Sequence, residues 1–326
     1  MGVKKLLQVK GGNITVTFRE AFEEFIDDRR LAGITEKTIN NYEKSVQYFI
    51  EQELNDDDSI DIAELHKVYV SQWIETMQRA NKKKTTINSY LRDLRAFLYW
   101  CMDAQERGYI EPAYKIELLK GQQPLPKAFT DDEVDLILQK PTNNKDFTEW
   151  RTWAIVNWVL ATGNRAETVL NVTLGDINFT AGEISLRHTK NKKAQIIALP
   201  DSLAQILKLY IKKCRSGCSS DAWLFPSISD EKLTYNALAH SFSKYCKERG
   251  SAHTNIHGLR HYFSTAFRKA GGSGDALQRQ LGHSTYAMTQ RYIDLVDADT
   301  KQEIAELNPL SRRKSSAART KKVRMN

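Results

Sequence analysis

The chain has 326 residues, with 48 Lys plus Arg against 40 Asp plus Glu and a net charge of +8 at neutral pH. Its 41% hydrophobic and 27% charged residues are those of an ordinary globular protein, which excludes a wholly disordered or collagen-like chain. No stretch reaches the roughly 18 to 20 uninterrupted apolar residues of a membrane span, and the start MGVKKLLQVKGGN lacks the apolar core of a secretory signal, so the expected location is the cytoplasm.

The length predicts about two domains. Cys101, Cys214, Cys218 and Cys246 are too few for a disulfide scaffold, and Cys214-x-x-x-Cys218 has no second pair to close a zinc site, so reduced cysteines are expected. Excess Lys and Arg point weakly towards nucleic acid.

In chain order, Thr17 is placed to cap a helix with Phe18, Ala21, Phe22, Phe25 and Ile26 on one face, ended near Gly33. Thr35 caps a second helix with Ile39, Tyr42, Val46, Phe49 and Ile50 apolar. The run Glu51 to Glu64 carries seven acids and no Lys or Arg, and reads as an exposed loop. Leu65, Trp73, Ile74 and Met77 mark a third helix. A fourth starts near Thr85, with Ile87, Tyr90, Leu91, Leu94, Phe97, Leu98 and Cys101 on one face and Arg92 and Arg95 on another. These four make a small all-α domain at 15–105, after an extension at 1–14. Gly108, Pro112, Gly121, Pro124 and Pro126 break any periodicity, which places a linker at 106–128.

A second domain, 129–310, opens on the capping box Thr130-Asp-Asp-Glu133. An apolar helix follows around Trp153 to Thr162. EISLRH (183–188) and AQIIALP (194–200) are β-type runs joined by the polar Thr189 to Lys193, a hairpin. The rest is helical by pattern, with breaks at Gly217, Pro226, Gly250 and Gly271-Gly272. Residues 311–326 hold seven basic residues and no acid and read as a disordered tail. Without them the chain is close to neutral, so any DNA contact has to come from how charge is arranged.

His257-Gly-Leu-Arg-His261 opens a helix whose expected core face is Leu259, Phe263, Ala266 and Phe267. His257, Arg260 and His261 then share the opposite face. Donors and cations at a helix start suit an anion, although a solvated polar face explains them as well. His253, His257 and His261 repeat at i, i+4, i+8, but a cap at Thr254 or Asn255 leaves His253 outside the helix and no acidic partner is present, so no metal site is read.

Downstream stand Leu281-Gly-His283 and Tyr286-Ala-Met-Thr-Gln-Arg-Tyr292, and upstream Thr162-Gly-Asn-Arg165. Together with Lys190 in HTKNKK, these motifs resemble the tyrosine recombinase (phage integrase) family. The five elements come in the family's order, and Tyr292 lies nine residues after His283. The likeness covers nearly the whole chain. It implies a mainly α fold with a small antiparallel β-sheet: a four-helix core-binding domain joined to a mixed α+β catalytic domain.

The resemblance further implies cleavage of a DNA phosphodiester without metal, ATP or other cofactor. Arg165 and Arg260 would meet the transition state's charge and His283 would add a hydrogen bond. Tyr292 would be the nucleophile. Its phenol, of pKa about 10, needs a proton acceptor; His257 is the first candidate and the phosphate itself the second. Lys190 would protonate the leaving 5′ oxygen, with Lys192 or Lys193 as the alternatives. Lys82, Lys83, Lys84, Arg92 and Arg95, with Arg79 nearby, are the candidate phosphate contacts of the helical domain; a solvated face explains them almost as well, and Lys192 and Lys193 are further candidate DNA contacts on the hairpin.

The family implies double-stranded recombination sites as substrate, a homotetramer on two sites, a Holliday junction, and in some members an accessory DNA-bending or directionality protein. A short helix at Asp297 to Leu310 would dock on a neighbouring protomer. The few residues before the first helix favour a simple recombinase without an arm-binding domain. Three positions depart from the family's usual pattern: Gly258 stands where Asp is common, Tyr262 where a small hydroxyl residue is, and Thr168 where an acid is, with Glu167 one place earlier. The expected role is integration and excision of a mobile element or phage. Chromosome dimer resolution, a non-cutting DNA-binding protein of the same fold, and a type IB topoisomerase are the alternatives.

Overall fold

The computed structural model describes residues 16–103, 109–110, 114–121, 129–143, 146–187, 194–283 and 285–290. The chain divides into two compact units, 1–124 and 125–326.

The first unit is built from α1 (Phe18–Leu31), α2 (Glu36–Glu53), α3 (Lys67–Arg79) and α4 (Lys84–Cys101), the four helices legible in the sequence. Thr17 caps α1 as expected: its hydroxyl accepts from the Glu20 N–H (3.2 Å) while the Glu20 carboxylate accepts from the Thr17 N–H (3.0 Å). Thr35 precedes α2 but makes no side-chain cap bond. The core is aromatic, with the Phe97 ring 5.2 Å from both Phe18 and Phe22 and edge-on to each. Trp73 and Phe49, 5.2 Å apart, close the other end.

The acidic run is not the free loop its composition suggested. Its first three residues finish α2, and Leu54 and Ile62 are buried. Backbone bonds Phe18 N–H to Ile60 C=O (2.8 Å) and Ile62 N–H to Val16 C=O (2.8 Å) tie it across the start of α1. The physical reason is that isolated apolar residues among the acids are enough to dock the segment, while Glu51, Asp56, Asp57 and Glu64 stay exposed at its surface. Part of the expected linker is packed as well. Ile110 and Ile116 are buried in this core, and the Asn88 side chain brackets Leu119, accepting from its N–H (2.8 Å) and donating to its C=O (3.0 Å).

The second unit centres on α6 (Phe147–Thr162), which is buried on nearly all sides and so shows little amphipathic period. It packs against α5 (Asp131–Leu138), α8 (Asp201–Cys214), α9 (Tyr235–Glu248) and α10 (His257–Lys269). The expected hairpin is present as β2 (Glu183–Leu186) and β3 (Gln195–Ala198), antiparallel with Ile184 opposite Ile197. A two-residue strand that the sequence reading did not separate, β1 (Ile177–Asn178), adds to β2. The remaining helices are α7 (Ala166–Val169) and α11 (Gly274–Leu281). None of the four cysteines is in a disulfide. The expected helix at 297–310 and the tail at 311–326 lie outside the described residues.

Candidate active site

Four of the predicted residues converge from three places in the second unit. Arg165 follows the turn that ends α6, His257 and Arg260 open α10, and His283 follows the turn that ends α11.

Arg260 is the centre, and here the sequence reading needs correction. It does not share an open polar face with His257 and His261: it is 2% exposed, buried with Leu259 and Ser264. The expected core residues Phe263 and Phe267 are only half-buried, against Leu277 and Leu281. The cause is a demand for donors. Helices α6 and α11 end with carbonyls that no helical N–H reaches, and the Arg260 guanidinium donates to both: Nη1 to Gly163 C=O (2.7 Å) and Nη2 to Leu281 C=O (3.2 Å). A buried cation is tolerable when it is hydrogen-bonded and lies at helix C-termini. Nη2 also reaches His283 Nε2 at 2.7 Å.

Gly163 explains the glycine of the Thr-Gly-Asn-Arg motif. Its φ is +67°, and a Cβ there would stand 2.3 Å from Phe263 Cδ1 and 2.7 Å from Leu281 Cδ2. Gly163→Ala should therefore destabilise the protein by at least about 1–3 kcal/mol through overpacking and backbone strain; thermal denaturation checks this. Asn164, next in the motif, accepts from the indole N–H of Trp158 (3.0 Å), which holds the turn onto α6; Arg165, which follows, is half-buried. The Arg165 guanidinium makes no hydrogen bond or ion pair among the described residues, and its charge acts on both His257 and His283.

The His257 N–H donates to Asn255 Oδ1 (2.9 Å), while the N-cap position itself falls on Ile256, with no side-chain cap bond, and not on Thr254 or Asn255 as expected. The His257 and His261 rings meet edge-on, 4.7 Å apart. The surrounding protein partly desolvates His257, and with the charges of His261, Arg260 and Arg165 this pushes its pKa down to about 4. Burial, Arg260 and Arg165 bring His283 to about 4 as well. Both imidazoles are therefore neutral at physiological pH, which leaves each ring one lone pair to accept a hydrogen bond or a proton.

Lys190, Lys192, Lys193 and Tyr292 lie outside the described residues. The described segments that flank them in the chain are placed, however. Gln195, at the base of the hairpin, donates through its side chain to Arg279 C=O (2.7 Å), which anchors β3 beside the end of α11. Residues 286–290 are helical and lead towards Tyr292.

Two functional partners were not identified from the sequence. Thr289 is fully buried and its Oγ1 lies 2.8 Å from His283 Nδ1. Glu133, legible only as half of a capping box, has a second allegiance. Besides Thr130 N–H (3.0 Å), it accepts from the Ser251 hydroxyl (3.1 Å), the N–H groups of Ala252 (2.9 Å) and His253 (3.0 Å), and pairs with His253 Nδ1 (2.7 Å). It thus fixes the loop that enters α10, and His253 with it. On the far side, Tyr262 donates to Asp131 Oδ1 (2.8 Å). That contact gives the bulky Tyr262 a place where the family commonly has a smaller residue.

Burial alone would raise the Glu133 pKa, but the bonds from Thr130, His253 and Ser251 outweigh it and hold it down at about 2. A depressed carboxylate stabilises the fold above its ordinary range, and that stability is lost as pH falls from about 4.5 towards 2. Glu133→Gln should cost about 1–3 kcal/mol at neutral pH. It should also flatten the fall in melting temperature over that acid window, as read by denaturation at stepped pH.

Of the proposed phosphate contacts in the first unit, Lys83 and Lys84 are exposed at the start of α4 and Arg92 is exposed further along it. Lys82 is half-buried, its Nζ 4.9 Å from the Tyr48 ring centre. Lys84 Nζ reaches Lys120 C=O at 3.5 Å, and Arg95 lies over Tyr99. Among the described residues no group of three or more metal-ligating side chains occurs, and no helix is long and apolar enough to cross a membrane.

Residues 127–299 match the model of the phage integrase family, and residues 20–105 match the N-terminal SAM-like domain of phage integrases. Tyrosine recombinase XerD of Oceanobacillus iheyensis is 23% identical over 295 residues, spanning 89% of this chain and 98% of the relative. Tyrosine recombinase XerC of Psychromonas ingrahamii is 26% identical over 284 residues, spanning 86% and 93%. Among solved structures, the Tn1549 transposon integrase in complex with transposon right end DNA shares the fold at a TM-score of 0.68 and 20% identity, covering 88% of this chain and 99% of that one. A lambda integrase dimer bound to a core site gives 0.66 and 16%, covering 85% and 95%.

Proposed function

Since this chain belongs to the phage integrase family and is a tyrosine site-specific recombinase, we propose that it cuts and rejoins DNA through a 3′-phosphotyrosyl link to Tyr292. The observation that carries the proposal is the convergence of Arg165, His257, Arg260 and His283.

The extra charge of a pentavalent phosphorus needs fixed cations around it. Arg260 is held in place by two backbone carbonyls, and Arg165, whose guanidinium has no partner among the described residues, acts on the same two histidines, so the pair serves as a cradle for the non-bridging oxygens. His283 adds a hydrogen bond to the same phosphate. The Tyr292 oxygen attacks phosphorus, its proton passes to His257 or to a phosphate oxygen, and the bond from phosphorus to the 5′ oxygen breaks. That oxygen takes a proton from Lys190, or from Lys192 or Lys193. A ring of pKa about 4 is a weak base in the DNA-free protein. An incoming phosphate raises it, because a nearby negative charge favours the imidazolium.

The helical unit holds the duplex through Lys82, Lys83, Lys84, Arg92 and Arg95. Four protomers on two sites exchange strands through a Holliday junction, with room for an accessory DNA-bending or directionality protein. The role we assign is integration and excision of a mobile element, in the cytoplasm and on the nucleoid. Flanking inverted repeats or an attachment site beside the gene would separate that role from chromosome dimer resolution.

The test incubates the full chain with a pool of nicked duplexes of randomised sequence and resolves it on a denaturing gel. A covalent protein–DNA band is expected, with the nucleotide mapped to Tyr292 by mass spectrometry. No adduct, or one on another residue, would overturn the reading. Recombination between two copies of the recovered sequence then separates a recombinase from a topoisomerase.

A further inference from the structure

We propose that Thr289 is a positioning residue whose hydroxyl lets His283 move its ring proton from Nδ1 to Nε2 when a phosphate enters the site. The inference rests on the reading of His283 as a phosphate contact.

A guanidinium has donors and no acceptor. The 2.7 Å contact between Arg260 Nη2 and His283 Nε2 is therefore an N–H donated to a ring nitrogen lone pair. In a neutral imidazole the proton must then sit on Nδ1, where it meets Thr289 Oγ1 at 2.8 Å. In this arrangement Nε2 has nothing to donate to a phosphate. Once phosphate oxygens take the Arg260 Nη2 donor, Nε2 must carry a proton itself.

A carboxylate or a backbone carbonyl opposite Nδ1 only accepts, and would hold the proton there. A hydroxyl both accepts and donates. Thr289 can rotate and donate to Nδ1 while the ring proton, exchanged through solvent, arrives on Nε2. The ring keeps one proton, Thr289 keeps its own, and no group changes net charge. Thr289 is fully buried, so water does not compete for either arrangement. It also lies on the helical turn 286–290, three residues before Tyr292. The same side chain thus joins the phosphate-binding ring to the segment carrying the nucleophile.

The experiment records nitrogen NMR of the full chain with labelled histidine and arginine side chains at neutral pH, His283 being assigned by its loss in His283→Gln. Without ligand, Nδ1 should be pyrrole-like and Nε2 pyridine-like. Excess inorganic phosphate should exchange the two positions while shifting the Arg165 and Arg260 signals. Thr289→Val should keep the proton on Nδ1 in the free ring, since Arg260 still donates to Nε2, but should shift the Nδ1 signal by loss of its acceptor and leave the exchange on phosphate addition incomplete; Thr289→Ser should restore the wild-type pattern. An Nε2–H or doubly protonated ring in the free protein overturns the proposal, as does a Thr289→Val spectrum identical to wild type. If Thr289→Val does not fold, the wild-type and Thr289→Ser spectra decide. Arginine shifts with an unswitched or doubly protonated ring overturn the proton movement and leave the phosphate cradle standing. If neither arginine responds, the cradle fails and the proposal with it.

Discussion

Arg260→Lys should lower strand cleavage by at least ~10²-fold, the scale of losing one preorganised oxyanion donor, while binding to the duplex recovered above changes little. Lysine keeps the charge and loses the fork. One ammonium does not reproduce donors to Gly163 C=O and Leu281 C=O and still face a phosphate. Arg260→Ala should add a folding defect, because each of the two buried carbonyls left without a donor costs about 1–3 kcal/mol. Arg165→Ala should cut cleavage as deeply and leave thermal stability within about 0.5 kcal/mol, since its guanidinium holds no structural contact among the described residues. Paired measurements of cleavage rate and melting temperature separate these cases. Equal melting temperatures for Arg165→Ala and Arg260→Ala would contradict the division of labour between the two arginines.

Tyr292→Phe should abolish the covalent adduct, a loss of at least ~10⁴-fold as for other covalent nucleophiles. Sequence-specific binding, measured by gel shift, should persist. The change removes one oxygen and leaves the ring, so packing is conserved and the effect isolates chemistry. An adduct that survives in Tyr292→Phe would move the nucleophile elsewhere, with Tyr286, half-exposed on the preceding turn, the first residue to examine.

The four helices of the first unit were readable because each buries one periodic face, and a capping box announces α1 and α5 with side chains only three residues apart. The reaction was readable because Thr-Gly-x-Arg, His-x-Leu-Arg-His, Leu-Gly-His and the tyrosine are short motifs whose order survives without knowledge of the fold. Arg260 shows where such reading stops. Helical periodicity assigns a charged residue to the polar face, and only the meeting of two helix ends at Gly163 and Leu281 makes its burial favourable. Glu133 is a local cap by sequence, yet its partners at 251–253 lie more than a hundred residues away.

The sequence by itself determined the family and the motifs from which the chemistry and its residues are proposed, because these rest on residue identity and order. The tertiary structure decided how they are held: Arg260 between two helix termini, Arg165 without a partner among the described residues, His283 between Arg260 and Thr289. Those assignments depend on backbone carbonyls and hydroxyls brought together across the fold, and no local pattern of side chains encodes where such partners meet.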